Sequence, residues 1–149
     1  MIQLNANKLE PTVEINELSH WYGLGNMRKR VIESISMRIS PGQVVLLTGP
    51  SGCGKTTLLT LIGALRKIEE GNVKVFGKEL YRSDRATRQF VRRNIGMIFQ
   101  GHNLLRCLTS EQNVQMGADL LEGLSFRARR DIARDCLRSV RLEDHKLKL

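Results

Sequence analysis

Long apolar runs are missing from this 149-residue chain: its purely aliphatic stretches, such as Val44-Val45-Leu46-Leu47, fall far short of the ~20 residues that cross a bilayer. Any membrane role must therefore run through a partner. The opening MIQLNANKLEP has neither the charged n-region nor the apolar h-region of a secretory signal, which predicts a cytoplasmic chain. Cysteines are few, odd in number and far apart: Cys53, Cys107 and Cys136 form no C-x-x-C and have no histidine at metal-ligand spacing. Reduced thiols and no metal cage are expected. The histidines His20, His102 and His145 are equally scattered, as surface or loop residues would be. Acidic residues are also in deficit, 15 against 24 basic, for a net charge of +9. With 41% apolar residues, that describes one soluble, basic, globular domain, and the length leaves no room for two.

Residues 12–18 and 31–39 alternate apolar with polar side chains, and period two predicts half-buried antiparallel strands. A loop rich in glycine and basic residues, 22–30, joins them. Pro41-Gly42 signals a turn, and residues 43–48 (QVVLLT), apolar without alternation, predict a fully buried strand. From Lys55 the period changes to that of a helix, with Leu58, Leu59, Ile62 and Leu65 three and four apart. Gly71-Asn72 ends that unit and hands over to a short strand at 73–76. Residues 84–93 predict a polar helix, and 95–99 (IGMIF) a buried strand with Gln100 at its end. Thr109-Ser110-Glu111-Gln112 is a capping box opening a helix to about Leu121. Ser125 caps another, in which Ile132, Cys136 and Val140 beside Ala133 and Leu137 make an apolar stripe opposite arginines. Strands first, then strand-loop-helix, then helices: the fold class is α/β with a helical second half.

Gly49-Pro50-Ser51-Gly52-Cys53-Gly54-Lys55-Thr56 satisfies G-x-x-x-x-G-K-[ST], after a predicted buried strand and opening an apolar helix, where the chemistry needs it. Glycines let the loop amides turn inward on phosphate oxygens, and the helix N-terminus adds partial positive charge. Lys55 is expected to reach the β- and γ-phosphates and Thr56 to hold Mg²⁺. Cys53, inside the loop, is either a small filler where serine would serve or a thiol that reagents modify when no nucleotide covers it. The loop alone does not choose among GTPases, small-molecule kinases, helicases and transport ATPases. An Asn-Lys-x-Asp guanine reader is absent.

Several further segments make the chain resemble the nucleotide-binding subunit of an ABC transporter over nearly all its length. Trp21-Tyr22-Gly23 stands at the place of the family's A-loop, GPSGCGKTTLLTLIGAL matches its Walker A segment, and RRNIGMIFQGHNLLRCLTSEQNV its Q-loop segment. Within the family the wording of residues 48–80 and 102–116 is similar to the DevA-type ATPases of cyanobacterial glycolipid exporters, themselves akin to lipoprotein-release and macrolide-export ATPases. The resemblance implies a P-loop NTPase fold of the ABC type: an N-terminal antiparallel β portion, an incomplete RecA-like core and part of the helical subdomain. Residues 1–149 would be a single, C-terminally incomplete nucleotide-binding domain, with 1–100 the β and phosphate-loop core through the Q-loop and 101–149 the start of the helical subdomain. It further implies ATP and Mg²⁺ as cofactors. Tyr22 would stack on adenine, with Trp21 as rival; the backbone from Ser51 through Thr57 would wrap the phosphates; Gln100 would meet Mg²⁺ or the attacking water.

No Leu-Ser-Gly-Gly-Gln signature, no apolar strand ending in Asp-Glu and no switch histidine after one occurs in the sequence. Hydrolysis needs these groups for Mg²⁺, for the water and for the γ-phosphate across a dimer, so turnover by this chain alone is doubtful. By resemblance, the strand bearing Asp-Glu packs beside the phosphate-loop strand. Its absence should leave that strand unpaired, expose apolar surface and make the chain marginally stable. Residues 82–149 hold 14 basic and 8 acidic side chains, with Arg127, Arg129, Arg130, Arg134, Arg138 and Arg141 on one predicted helix. A solvated face partly paired with Asp131 and Asp135 is the simplest expectation, contact with a membrane subunit or anionic lipid a second. Nucleic acid is not expected as a partner, because aromatic interleaving and reading motifs are absent. Two function classes follow: an ATPase subunit powering an exporter, peripheral to the membrane and paired with a permease and a second ATP-binding subunit, or a non-catalytic nucleotide- or subunit-binding remnant of one.

Overall fold

A bulge in the first strand decides which side chains reach the nucleotide side of the molecule. In the computed structural model, which describes residues 10–101 and 103–142, strand β1 (Val13–Tyr22) pairs antiparallel with β2 (Lys29–Ile39) and with β3 (Glu70–Val75). Val13 and Ile15 are buried in phase, but the register shifts on both sides of Glu17, which has φ 50°. After the bulge the alternation is broken, and Leu18, Ser19 and His20 are all buried. Amides near the bulge are met by hydroxyls: Glu17 N–H donates to Ser36 Oγ (2.9 Å) and Ser34 N–H to Ser19 Oγ (3.1 Å). Gly71 lies against it at φ 84°, and a Cβ there would sit 2.4 Å from the Glu17 carbonyl oxygen, so only glycine fits.

β3 also pairs with β4 (Lys78–Glu79), giving a four-stranded sheet of order β2-β1-β3-β4. Helix α1 (Lys55–Ile62) covers it, burying Leu58 and Leu61 with Val13, Ile15, Leu18, Ile32, Val73 and Val75. Full burial of each such side chain contributes roughly 1.5–3 kcal/mol. Helix α2 (Arg85–Arg93) adds Val91, and its N-cap Asp84 accepts from the Thr87 amide at 2.7 Å. That charge-assisted bond holds the Asp84 carboxyl below its usual range.

Two expected buried strands are absent. Residues 43–48 form no strand, with Val44 fully exposed and Leu46 84% exposed, and 95–99 likewise form none, leaving Ile98 exposed. The reason is the same for both: an apolar strand is held and buried only when it pairs with neighbours, and neither segment pairs with any of the four strands of this sheet. Of the expected helical stripe, Leu58 is buried and Ile62 packs against the core, whereas Leu59 and Leu65 are exposed and Leu61, outside the stripe, is fully buried.

The chain forms two compact units, Met1–Met97 and Ile98–Leu149. The second is a pair of helices joined through their side chains. Helix α3 (Ser110–Ala118) opens with the complete capping box of Thr109 and Gln112, and α4 (Phe126–Ser139) with Ser125 accepting from the Ala128 amide. Ala133 and Leu137 are the buried positions of α4, whereas Cys136 and Val140 of the expected stripe are exposed. Glu111, also buried, takes Arg130 at 2.5 Å and Arg134 at 3.1 Å. The arginine face is thus paired chiefly with α3, through Glu111 and through Asp119 to Arg129. Within α4 itself Arg138 meets Asp135, and Asp131 takes no ion pair among the described residues. Asn113 ties the preceding loop down, accepting from the Leu105 amide and donating to the carbonyls of Leu105, Leu108 and Thr109.

Candidate functional site

The site is built where the segment 43–48 turns into α1. Gly49, Gly52 and Gly54 have φ of 148°, 79° and 96°, and Gly54 is the left-handed N-cap of the helix. A Cβ on Gly49 would lie 2.9 Å from Cys53 Sγ and one on Gly54 2.8 Å from the Val31 carbonyl oxygen, so side chains would fill the cradle or push it off β2. The first bond of the helix ladder runs from the Leu58 amide to the Gly54 carbonyl, leaving the amides of residues 55–57 outside it and available to an anion. Lys55 bends back over the loop. Its Nζ donates to the carbonyls of Gly49 and Pro50, both at 2.7 Å, and lies 3.5 Å from Cys53 Sγ. One positive charge is thereby held over the glycine loop beside the unpaired amides of the helix start, an arrangement complementary to a chain of phosphates. Thr56 is exposed on the first turn, and its hydroxyl bonds to no other side chain or loop carbonyl among the described residues, leaving its oxygen open to a cation.

Tyr22 and Trp21 part company at the end of β1. Past the bulge the register shifts again on either side of His20, and strict alternation is lost: Leu18, Ser19 and His20 are buried, Trp21 is half-buried and Tyr22 is exposed. The Tyr22 hydroxyl makes a 3.1 Å hydrogen bond with Thr57 Oγ1, inside the first turn of α1. Trp21 instead has the guanidinium groups of Arg28 and Arg30 over its ring, at 4.6 and 5.2 Å. Tyr22 and residues 49–57 therefore form one constellation, to which Trp21 does not belong. Gln100 is an exposed turn residue at the start of the second unit.

Two neighbours of Tyr22 escape a reading of the sequence. Arg66 places its guanidinium 4.8 Å from the ring centroid, and His20 meets the ring edge-on at 5.3 Å. His20 is buried, not a surface residue, and its Nδ1 lies 3.7 Å from Glu69, which also takes Arg28 at 2.6 Å. Burial holds the His20 pKa below its ordinary value, opposed by Glu69 and reinforced by Arg66 and Arg28, so the ring is neutral at pH 7. Nothing in local sequence marks these contacts, because the bulge that creates them depends on Gly71, 54 positions downstream of Glu17.

A glycine loop leading into a helix, with its lysine over the loop and an aromatic ring tied to the first turn, defines a P-loop nucleotide-binding protein. The comparisons with known proteins narrow this: residues 32–149 match the family model described as ABC transporter, and the chain belongs to that family. It is 37% identical over 135 residues to the lipoprotein-releasing system ATP-binding protein LolD 2 of Rhodospirillum rubrum, covering 90% of this chain and 58% of that one. It is 35% identical over 137 residues to the macrolide export ATP-binding/permease protein MacB of Escherichia coli K12, 91% of this chain and 21% of the other. Among solved structures, the ATP-binding cassette MJ0796, a dimer in a post-hydrolysis state with ADP and Pi, superimposes with a TM-score of 0.79 at 31% identity, over 90% of this chain and 61% of that one. The fold is thus that of an ABC ATPase cassette in part, and the chain spans about three fifths of the length of LolD 2 and of the solved cassette, and about a fifth of MacB.

Proposed function

We propose that this chain supplies the Mg-ATP-binding part of an ABC-type exporter ATPase and acts on transport through a membrane-spanning partner. The observation that carries the reading is the phosphate loop with Lys55 poised over it at the start of α1. Bound Mg²⁺ would neutralise phosphate charge; the chain's own part is to hold it through the Thr56 hydroxyl. The amides of Ser51 through Thr57 grip the β- and γ-phosphates, Lys55 moves from the Gly49 and Pro50 carbonyls to phosphate oxygens, and Tyr22 carries the adenine. Likeness to a lipoprotein-releasing and a macrolide-export protein supports export as the transport direction, and the wording of residues 48–80 and 102–116 suggests a DevA-type exporter within it. Among the described residues no helix is long and apolar enough to cross a membrane; likeness to an ATP-binding/permease protein supports a membrane-spanning permease as the partner, with the cytoplasmic membrane face as the place of work. An apolar cleft of about 470 Å³ in the second unit, lined by Leu104, Leu105, Leu108, Val114, Leu137 and Leu142, supports such a partner.

Titration calorimetry of Mg-ATP into the 149-residue chain and its Lys55→Ala variant tests the proposal. Saturable one-site binding that the substitution weakens by at least about tenfold is expected. Absence of binding, or binding indifferent to Lys55, would overturn it.

A further inference from the structure

The first unit holds a second concavity, remote in sequence from the phosphate loop. It has a volume of about 280 Å³ and is lined by Lys67, Ile68, Leu80, Arg82, Ser83 and Arg88. A bridge between Ile68 and Tyr81 sets the two contributing segments side by side, and the floor is the buried pair Ile68 and Leu80. Every charged group in the lining is cationic. Among the described residues no carboxylate lies within ion-pair distance of Lys67, Arg82 or Arg88, although the arginines of this unit at positions 28, 30 and 38 each have one. Of the acids nearest in sequence, Glu69 takes Arg28, and Asp84 gives its carboxylate to the Thr87 amide and acts on Arg88 only through its field.

Two of the guanidinium groups are already placed. The Arg88 side chain donates to the Ser83 carbonyl oxygen, and the Arg82 guanidinium rests 5.1 Å over the Tyr81 ring, so each loses less freedom on binding a ligand than a free arginine would. Three uncompensated cations around one concavity repel each other, and a multiply charged oxyanion relieves that repulsion while accepting several charge-assisted bonds. We propose that the concavity of Lys67, Arg82 and Arg88 is a phosphate-binding site, distinct from the nucleotide site, which takes a phosphate group either free in solution or borne on a lipid head group.

The test uses the full ¹⁵N-labelled chain at constant ionic strength, titrated with pyrophosphate against sodium chloride. Amides of residues 82–88 and the Nε of Arg82 and Arg88 report this site, while amides of residues 51–57 report the phosphate loop separately. Saturable shifts at 82–88 are expected, weakened about tenfold or more in Lys67→Gln and in Arg82→Gln and partly restored in Arg82→Lys. Arg88 is left intact because it also holds the Ser83 carbonyl. A second arm adds vesicles of phosphatidic acid in phosphatidylcholine, against phosphatidylcholine alone. Saturable binding in either arm that depends on Lys67 and Arg82 supports the site and tells its source. Shifts that follow ionic strength alone, equal binding by the variants, or no response in both arms would overturn it, whatever happens at residues 51–57.

Discussion

Replacing Tyr22 by alanine or by phenylalanine separates two jobs that one side chain performs. The ring offers a π-face for a base, and base-aromatic stacking contributes about 1–3 kcal/mol by alanine substitution. Arg66 already lies 4.8 Å over that ring, a contact of about 0.5–1 kcal/mol at an exposed position, so a base taking that face gains toward the lower end. Tyr22→Ala should therefore raise the Kd for Mg-ATP about 5- to 30-fold and leave the Kd for Mg-tripolyphosphate, which has no base, unchanged. The hydroxyl does something else. It pairs with Thr57 Oγ1 at 3.1 Å, and Thr57 is 7% exposed, so Tyr22→Phe strands a buried hydroxyl at a cost of about 1–3 kcal/mol in stability. At roughly 2–4 °C per kcal/mol, that variant should melt several degrees lower yet bind Mg-ATP within about twofold of the parent. Calorimetric titrations with both ligands, beside thermal melts, make the test. Equal weakening of ATP and tripolyphosphate in Tyr22→Ala, or no weakening of either, would refute the stacking role and leave the ring as packing alone.

Further outcomes are expected elsewhere. The Glu111 carboxyl is held below its ordinary pKa, first by the hydrogen bond from Arg130, so its stabilising effect is full above the unfolded value near ~4.3 and fades as pH falls through the lower folded value. Glu111→Gln should accordingly cost about 1.5–3 kcal/mol in the helical unit at pH 7 and flatten that acid limb; an unchanged limb in urea melts followed by circular dichroism would count against the pairing. Cys53 is exposed and 3.5 Å from the Lys55 ammonium, so maleimide should label it in the free chain and Mg-ATP should protect it, whereas equal labelling with and without nucleotide would show that the thiol lies outside the site. Val44 and Leu46 are exposed on an unpaired segment, and Val44→Thr with Leu46→Lys should reduce aggregation on heating; a cooperative melt of the parent above ~65 °C would contradict the marginal stability this surface implies. Because the sequence contains neither a signature nor an Asp-Glu strand end, the chain should bind ATP without steady turnover, and phosphate release abolished by Lys55→Ala would show otherwise.

Local chemistry was legible in the sequence wherever a residue acts on its own neighbours. Thr109 and Ser125 each cap the helix they precede, and the glycines at 49, 52 and 54 take the positive φ that the loop motif requires. What depends on distant partners was not legible. Residues 43–48 and 95–99 have the composition of buried strands, but composition only states a demand for neighbours, and the sheet does not supply them. The choice between Trp21 and Tyr22 turns on a bulge whose cause, Gly71 against Glu17, lies on another strand. Glu111 reads as one more acid of a helix first turn until α4 brings two arginines to it. In each case the missing information is a contact between segments, which periodicity cannot encode.

The central claim is that residues 49–57 hold nucleotide phosphates with Tyr22 beneath the base, and a crystal structure of the chain with Mg²⁺ and a non-hydrolysable ATP analogue tests it most directly. The predicted result is β- and γ-phosphate oxygens within hydrogen-bond distance of the loop amides, Lys55 Nζ transferred from the Gly49 and Pro50 carbonyls to phosphate, and adenine stacked on Tyr22. Nucleotide bound elsewhere, or bound here with Lys55 still on those carbonyls and the base away from Tyr22, would contradict it.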